Sequence, residues 1–349
     1  MIVGNGTMAT MMDMGFKEAW CKIYDLPDSK ALAMALVDNK SSDLHKWEEE
    51  MLAEIFLHLP EEYHELTGFE VPDISNLLDQ FADVQLNEEK DDNIPDLVSE
   101  ENCMVTPGDV WALGEHLLMC GDSLDQIRIS EFIGAPVDLL HTDPPYNVSY
   151  VGKSSSKMTI DNDSMSPEEF RQFLEKAFFV AAANMKSGSP FYIWYADIEA
   201  VNFRESCTSQ GLSIRQGLVW KKNNMVLGRQ DYQWKHEPCL YGWKEGGAHY
   251  WAGGRKQTTV IDHDKPTKND LHPTMKPVGL IEPLIKNSCP NGGVVLDLFG
   301  GSGSTLIACE KLNRKARLVE LSPVFCHRII QRWEEYTNKK AKKKELYVS

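Results

Sequence analysis

Apolar and polar positions follow two patterns along this chain, and the change between them divides it. From His116 onward, short apolar runs stop abruptly at glycine, proline or an acid: His116–Cys120, the run from Val137, Ser189–Tyr195, Val294–Leu298 and Ala316–Val319. Such runs, bounded by turn residues, predict buried parallel strands. Leu212–Lys221 and Pro238–Trp243 alternate instead and predict a closing antiparallel pair. Helical stretches fall between them: from the capped start Ser166-Pro-Glu-Glu to about Met185, Asp197–Gln210, Pro277 through Leu284 and Ile285, and Thr305–Lys311. Strand alternating with helix predicts an α/β sheet covered on both faces.

The first 81 residues are different. Helical spacing from Thr7 to Met14 stops at Gly15. Ala19–Tyr24 reads as a strand, Ser29–Val37 and Trp47–Leu57 as helices, and Leu77–Phe81 closes the unit. Residues 82–105, with Glu88-Glu-Lys-Asp-Asp-Asn-Ile-Pro95, combine charge with proline and predict a spacer. The expected division is 1–81, a linker over 82–105, and a large domain over 106–349.

A net charge of −16 argues against a polyanion partner until its distribution is considered. Residues 1–105 hold 24 acids against 6 lysines, whereas 106–349 hold 28 acids against 30 bases. Only the second part is a candidate for nucleic acid; the acidic part suits a basic protein partner. Eight scattered cysteines without a Cys-x-x-Cys pair predict free thiols in a reducing cytoplasm. No apolar run is long enough for a bilayer, and the first residues lack signal-peptide character.

The chemistry concentrates after Val137-Asp-Leu-Leu-His-Thr, at Asp143-Pro144-Pro145-Tyr146. Two prolines remove two donors, fix two φ angles and leave their carbonyls free. The corner offers a carboxylate, a rigid acceptor and an aromatic face at a strand's C-terminal edge, where open α/β sheets bind ligands. Asp143 and the Pro144 carbonyl can accept both hydrogens of an exocyclic amine while Tyr146 stacks on its ring. A plain strand-to-loop turn is the alternative for this motif taken alone.

Asp143-Pro-Pro-Tyr146 resembles the catalytic motif of amino-group DNA methyltransferases. The resemblance covers roughly residues 106–335. It implies S-adenosylmethionine as cofactor, double-stranded DNA as partner, and a target base flipped from the duplex. The order of catalytic turn, recognition region and cofactor loop is similar to that of the β-class enzymes. It implies a Rossmann-like, circularly permuted sheet of about seven strands. Asp in place of Ser at the first motif position favours adenine N6, with cytosine N4 second. A silent DNA-binding adaptor, and methylation of protein or RNA amines, are the other readings.

Gly293-Val-Val-Leu-Asp-Leu-Phe-Gly-Gly-Ser-Gly-Ser-Thr305 runs from a strand through a glycine turn into a helix. It lacks the lysine of a P-loop, and Leu306 stands where a dinucleotide fingerprint needs glycine. It resembles the S-adenosylmethionine loop, which implies cofactor contacts from Asp297, Phe299, Gly300, Gly301, Ser302, Gly303, Ser304 and Thr305. Glu320, at the end of the following strand, suits ribose hydroxyls. The same resemblance places Asp122 by the cofactor. It also sets His272-Pro-Thr-x-Lys-Pro277, through Thr274 and Lys276, at the cofactor's methionine end. His272 has no partner at ligand spacing, so no metal is expected.

Cations and aromatics interleave over 222–270, the expected target-recognition region, and just before it. Lys221, Lys222, Arg229, Tyr232, Trp234, Lys235, Arg255 and Lys256 are the candidate DNA contacts. The polar stretch 148–164 predicts a lid that orders on DNA, and the basic tail Lys339–Lys344 a frayed end. Gly4-Asn-Gly6, Gly15-Phe16, Asp38-Asn39, Trp47 and Thr67-Gly-Phe69 resemble a truncated ParB-like domain, an α+β module fused to some phage and mobile-element methyltransferases. A monomer or a homodimer is expected.

Overall fold

The computed structural model describes residues 91–147, 165–226, 231–264 and 275–344, with scattered positions between 11 and 74. The chain forms two compact units, Met1–Glu89 and Lys90–Ser349. In the first, Leu52, Phe56, Leu59 and Ile74 are buried together, with Phe69 edge-on to Phe56 at 5.5 Å. Leu52, Ile55, Phe56 and Leu59 keep the spacing of one helix face, in the region where a helix is predicted. Gly15 has φ +82°, the conformation of a helix-terminating glycine. The strand predicted over 19–24, the closing piece over 77–81 and most ParB-like positions lie outside the described residues.

The second unit is built on one sheet. Its strands are β1 (Val110–Leu113), β2 (His116–Cys120), β3 (Leu139–Thr142), β4 (Pro190–Trp194), β5 (Leu212–Val226), β6 (Trp234–Lys244), β7 (Val260–Asp262), β8 (Val294–Asp297), β9 (Lys315–Glu320) and β10 (Lys342–Lys344). Their spatial order is β10-β1-β2-β9-β8-β3-β4-β6-β5-β7. The five strands from β2 to β4 run parallel, and β6 lies antiparallel between β4 and β5. These seven are the predicted sheet, to which β1, β10 and β7 add edges.

The helices are α1 (Gln126–Ile133), α2 (Pro167–Ala183), α3 (Ala200–Ser209), α4 (Val278–Ser288), α5 (Ser304–Lys311) and α6 (Pro323–Thr337). Ser166 and Glu169 form a reciprocal capping box at the start of α2. One face of the sheet buries α4, α5 and α6, the other α1, α2 and α3. In β4, Tyr192 and Trp194 point to the first face, and Phe191 and Ile193, with Tyr195 just beyond the strand, to the second. From β8 the chain crosses through α5 to β9 on one side; from β3 it crosses through α2 to β4 on the other. The crevice between β3 and β8 is therefore the switch point, where this architecture binds ligands.

Two expectations change. The predicted spacer is a spacer at most up to Glu89, because 91–105 belong to the second unit. Asp91 is 2% exposed; it accepts from Lys311 Nζ at 2.5 Å, and its carbonyl from Arg332 at 2.6 Å. Asp92 accepts from the Val278 amide at 2.8 Å, satisfying a free donor at the start of α4. An acidic stretch is held here because the buried Arg332, Lys311 and a helix N-terminus need it. Likewise the tail predicted to fray is β10, paired antiparallel to β1, with Lys343 bonded to Asp109 at 2.7 Å.

Candidate active site

β3 is buried along its length and stops at Thr142 because prolines follow. Pro144 is buried, while Asp143, Pro145 and Tyr146 are partly exposed beside the crevice. Tyr146 donates its hydroxyl to Asp143 Oδ1 at 2.5 Å. Burial, then the Asp143 charge, pushes that phenol well above its usual range, so it remains a donor. The Tyr146 ring meets Phe203 edge-on at 6.5 Å, which fixes its plane. Asn147 follows at φ +55°, and its amide bonds both the N–H and the carbonyl of Met165. That tie joins the two ends of 148–164, the predicted lid, which itself lies outside the described residues.

Asp143 Oδ2 accepts from Lys276 Nζ at 2.5 Å. The same ammonium lies 3.0 Å from the Tyr146 hydroxyl and 3.3 Å from Glu237 Oε2. Glu237 is paired in turn with Lys222. Burial lowers the Lys276 pKa; the Asp143 and Glu237 carboxylates more than offset this and raise it. Burial likewise works against the Glu237 charge, but Lys276 and Lys222 hold it below the usual range. Lys276, expected at the cofactor's methionine end, is therefore bonded to the turn that follows β3. Thr274, its expected companion, lies outside the described residues.

Across the crevice, β8 ends at Asp297, which is 4% exposed. Its carboxylate accepts from Thr142 Oγ1 at 3.1 Å, the Phe299 amide at 3.1 Å and Thr305 Oγ1 at 2.7 Å. Burial outweighs these bonds and pushes Asp297 up to about 7. Thr305 Oγ1 is also 3.0 Å from His141 Nδ1, and Trp194 Nε1 donates to His141 Nε2 at 3.1 Å. An indole can only donate, so Nε2 accepts and Nδ1 carries the proton. Burial, then the Lys276 charge, lowers His141 to about 3, so the ring is neutral. His141 and Trp194, missed in the sequence, thus carry a hydrogen-bonded chain beneath both turns.

The glycine turn is built for close approach. Gly301 has φ +52° and Gly303 φ +83°, and a Cβ on Gly301 would find no other atom nearer than 3.9 Å. Glu320 Oε2 accepts from the Gly301 amide at 2.8 Å and Oε1 from Ser322 at 2.9 Å. Burial raises the Glu320 pKa. Arg332 donates to the Ser302 carbonyl at 2.8 Å and to Ser304 Oγ at 3.2 Å, fixing the far side. Gly300, Ser304 and Thr305 are buried; Phe299, Gly301, Ser302 and Glu320 remain partly exposed. Asp122 is exposed one strand away, beyond Cys120, which pairs with Glu320 in register. A partly exposed carboxylate, an open glycine corner and an aromatic edge form the donor set for a nucleoside carrying an amino-acid end. Asp297 organises this turn from beneath.

Of the expected DNA contacts, Tyr232 is 92% exposed, and Lys235, Arg255 and Lys256 are also open to solvent. Lys221 is exposed and bonded to Asp262 at 2.6 Å. Trp234 is half-buried against His236. Lys222 is corrected: it is 8% exposed, lies over the Trp220 ring and pairs with Glu237, so no phosphate can reach it. Strand alternation puts Lys222 on the buried face with Trp220 and turns Lys221 outward. Arg229 lies outside the described residues. Among the described residues no group of three or more potential ligands could hold a metal. No helix there is long and apolar enough to cross a membrane.

The DNA methylase family model, N6_N4_Mtase, matches residues 137–332. The chain is 26% identical over 202 residues to the type II methyltransferase M2.DpnII of Streptococcus pneumoniae, spanning 51% of this chain and 75% of that protein. It is 25% identical over 202 residues to the type II methyltransferase M2.LlaDCHI of Lactococcus lactis subsp. cremoris, with the same coverage, 51% and 75%. The crystal structure of the M1.HpyAVI–SAM complex shares the fold at a TM-score of 0.50 and 20% identity, over 62% of this chain and 97% of that one.

Proposed function

This chain belongs to the N6/N4 DNA methylase family, and from that premise we propose that it methylates adenine N6 in double-stranded DNA with S-adenosylmethionine. The observation that carries the reading is the facing pair of turns at the β3–β8 crevice: Asp143 and Tyr146 on one side, Gly301 and Glu320 on the other. Bound there, the cofactor supplies a methyl group already activated on a sulfonium. Glu320 would hold its ribose hydroxyls, the glycine corner its main body, and Phe299 an aromatic contact.

The chain's own residues supply position. Asp143 and the Pro144 carbonyl accept the two amine hydrogens of the flipped base. This localises the nitrogen lone pair, which the aromatic ring otherwise delocalises. The Tyr146 ring, held by its hydroxyl and by Phe203, stacks on the base. After attack, an Asp143 oxygen is placed to take the proton the amine gives up. Among the described residues, the cysteine whose charge bears on Asp143 offers no thiolate for covalent chemistry on a ring carbon. Cys239, whose charge would be felt by Asp143, is buried and held well above its usual pKa by that burial.

The exposed cations of 221–256 would engage phosphates. Cytosine N4 is the second reading, because the matching family covers both amines. Incubation with tritiated S-adenosylmethionine and duplex DNA, RNA or protein, followed by nucleoside digestion, tests the proposal. Label is expected in N6-methyladenine. Label confined to RNA or protein would overturn it, and label in N4-methylcytosine would leave only the second reading.

A further inference from the structure

A buried ammonium is costly unless its charge is met, and Lys276, 6% exposed, is met more than once. It sits between Asp143 at 2.5 Å and Glu237 at 3.3 Å, with the Trp194 ring centroid 5.0 Å away. Four alternating charges follow one another across the fold: Asp143 after β3, Lys276 before α4, Glu237 on β6 and Lys222 on β5. Methyl transfer creates a specific conflict here. Asp143 has two oxygens, and in this state both are taken, one by the Tyr146 hydroxyl and one by Lys276. An incoming amine must share one of these oxygens or displace its partner. Tyr146 is tied to the stacking ring, whereas Lys276 already has a second carboxylate within reach.

Resting on the methyl-transfer reading, we propose that Lys276 is a positioning residue. It aims the Asp143 carboxylate at the crevice until the target amine arrives, then yields that oxygen and falls back on Glu237. The base amine thereby replaces a cation of this chain, and no carboxylate or ammonium is left unpaired at any stage. Lys222 keeps Glu237 in place from below, so that β5 and β6, the hairpin bearing the exposed cations, are mechanically joined to the catalytic turn.

The test uses the full chain with Lys276→Met, Lys276→Arg and Glu237→Gln. Three readouts are taken: S-adenosylmethionine affinity by calorimetry, kcat at saturating cofactor, and the Lys276 15Nζ resonance, assigned by its loss in Lys276→Met. Lys276→Met is expected to keep the cofactor Kd within about twofold and to lose on the order of 10²-fold in kcat. Lys276→Arg should recover part of that loss, since it keeps the charge. Glu237→Gln should lower kcat by about tenfold, because the displaced ammonium then has no second carboxylate. Duplex DNA should shift the 15Nζ resonance, and cofactor alone should leave it in place.

A tenfold weaker cofactor with kcat unchanged would return Lys276 to the cofactor site. A kcat loss that arginine does not rescue, with a resonance indifferent to duplex and to Asp143→Asn, would reduce it to a structural residue. Should Lys276→Met fail to fold, the arginine and Glu237→Gln variants still decide. If the wild-type protein methylates no DNA, the methylation reading falls. A resonance moved by Asp143→Asn but not by Glu320→Ala would still place Lys276 on the catalytic carboxylate.

Discussion

The two turns at the crevice begin one strand apart and are held in opposite ways. The Asp143–Tyr146 turn is stiff from its prolines and fixed by charge brought from three remote elements, β5, β6 and the start of α4. The Phe299–Gly303 turn is fixed by backbone amides, hydroxyls and positive φ angles. One bond, Thr142 to Asp297 at 3.1 Å, ties the strands that carry them. The difference matches the tasks assigned to them. On the proposed mechanism, the carboxylate that trades hydrogen-bond partners is met by a lysine with a second carboxylate within reach. A loop that must only receive a ligand is built from atoms that stay where they are.

The largest break in that comparison is Asp143→Ala. It is expected to lower methyl transfer by on the order of 10³-fold or more, read as tritium incorporation into duplex DNA. Glu320→Ala damages the other turn: cofactor Kd should rise about 10- to 100-fold, by the worth of a charged hydrogen-bonding group, with DNA affinity unchanged in a mobility-shift titration. Gly303→Ala should raise the cofactor Kd less. It forces a Cβ at φ +83° to within 3.2 Å of Ile329 Cγ1 and Cγ2, and the αL cost is about 1–2 kcal/mol.

Titration sharpens the contrast beneath the turns. His141 falls from an ordinary 6.5 to about 3, so the folded state binds fewer protons there; the stability involved is lost as pH drops below 6.5. Asp297 rises from 3.8 to about 7, so the folded state binds more protons there; the stability involved is lost as pH climbs from 3.8 through 7. Between 3.8 and 6.5 the two slopes oppose each other. Removing either group unmasks the other at about 1.4 kcal/mol per pH unit. Denaturant melts of Asp297→Asn should lose stability on acidification across that window, and those of His141→Gln should gain it. Parallel pH profiles in the two variants would break the proposed pairing. The smallest effect is expected from Lys221→Ala, a change of about 1 in the salt dependence of DNA binding.

Both turns were legible in the sequence because each is a local signal. Asp-Pro-Pro-Tyr stops a strand whatever surrounds it, and a glycine run after Val294–Asp297 needs only its own φ angles. The capping box of α2 and the alternation of β5 against β6 are local in the same sense. What could not be read is pairing at a distance. Lys276 meets Asp143 across 133 positions, and His141 meets Thr305 across 164, because strand order brings β3, β8 and β6 together. A lysine beside tryptophan also looks alike whether it faces phosphate or core. Only the period-two register of β5 separates Lys221 from Lys222, and that signal was present in the sequence.

The division of labour between the turns is tested most directly by a calorimetric titration of S-adenosylmethionine into Asp143→Ala. Binding within about twofold of the wild-type protein is the result this account requires, since Asp143 acts on the amine and Glu320 with the glycine corner on the cofactor. Loss of cofactor binding in that variant would contradict it.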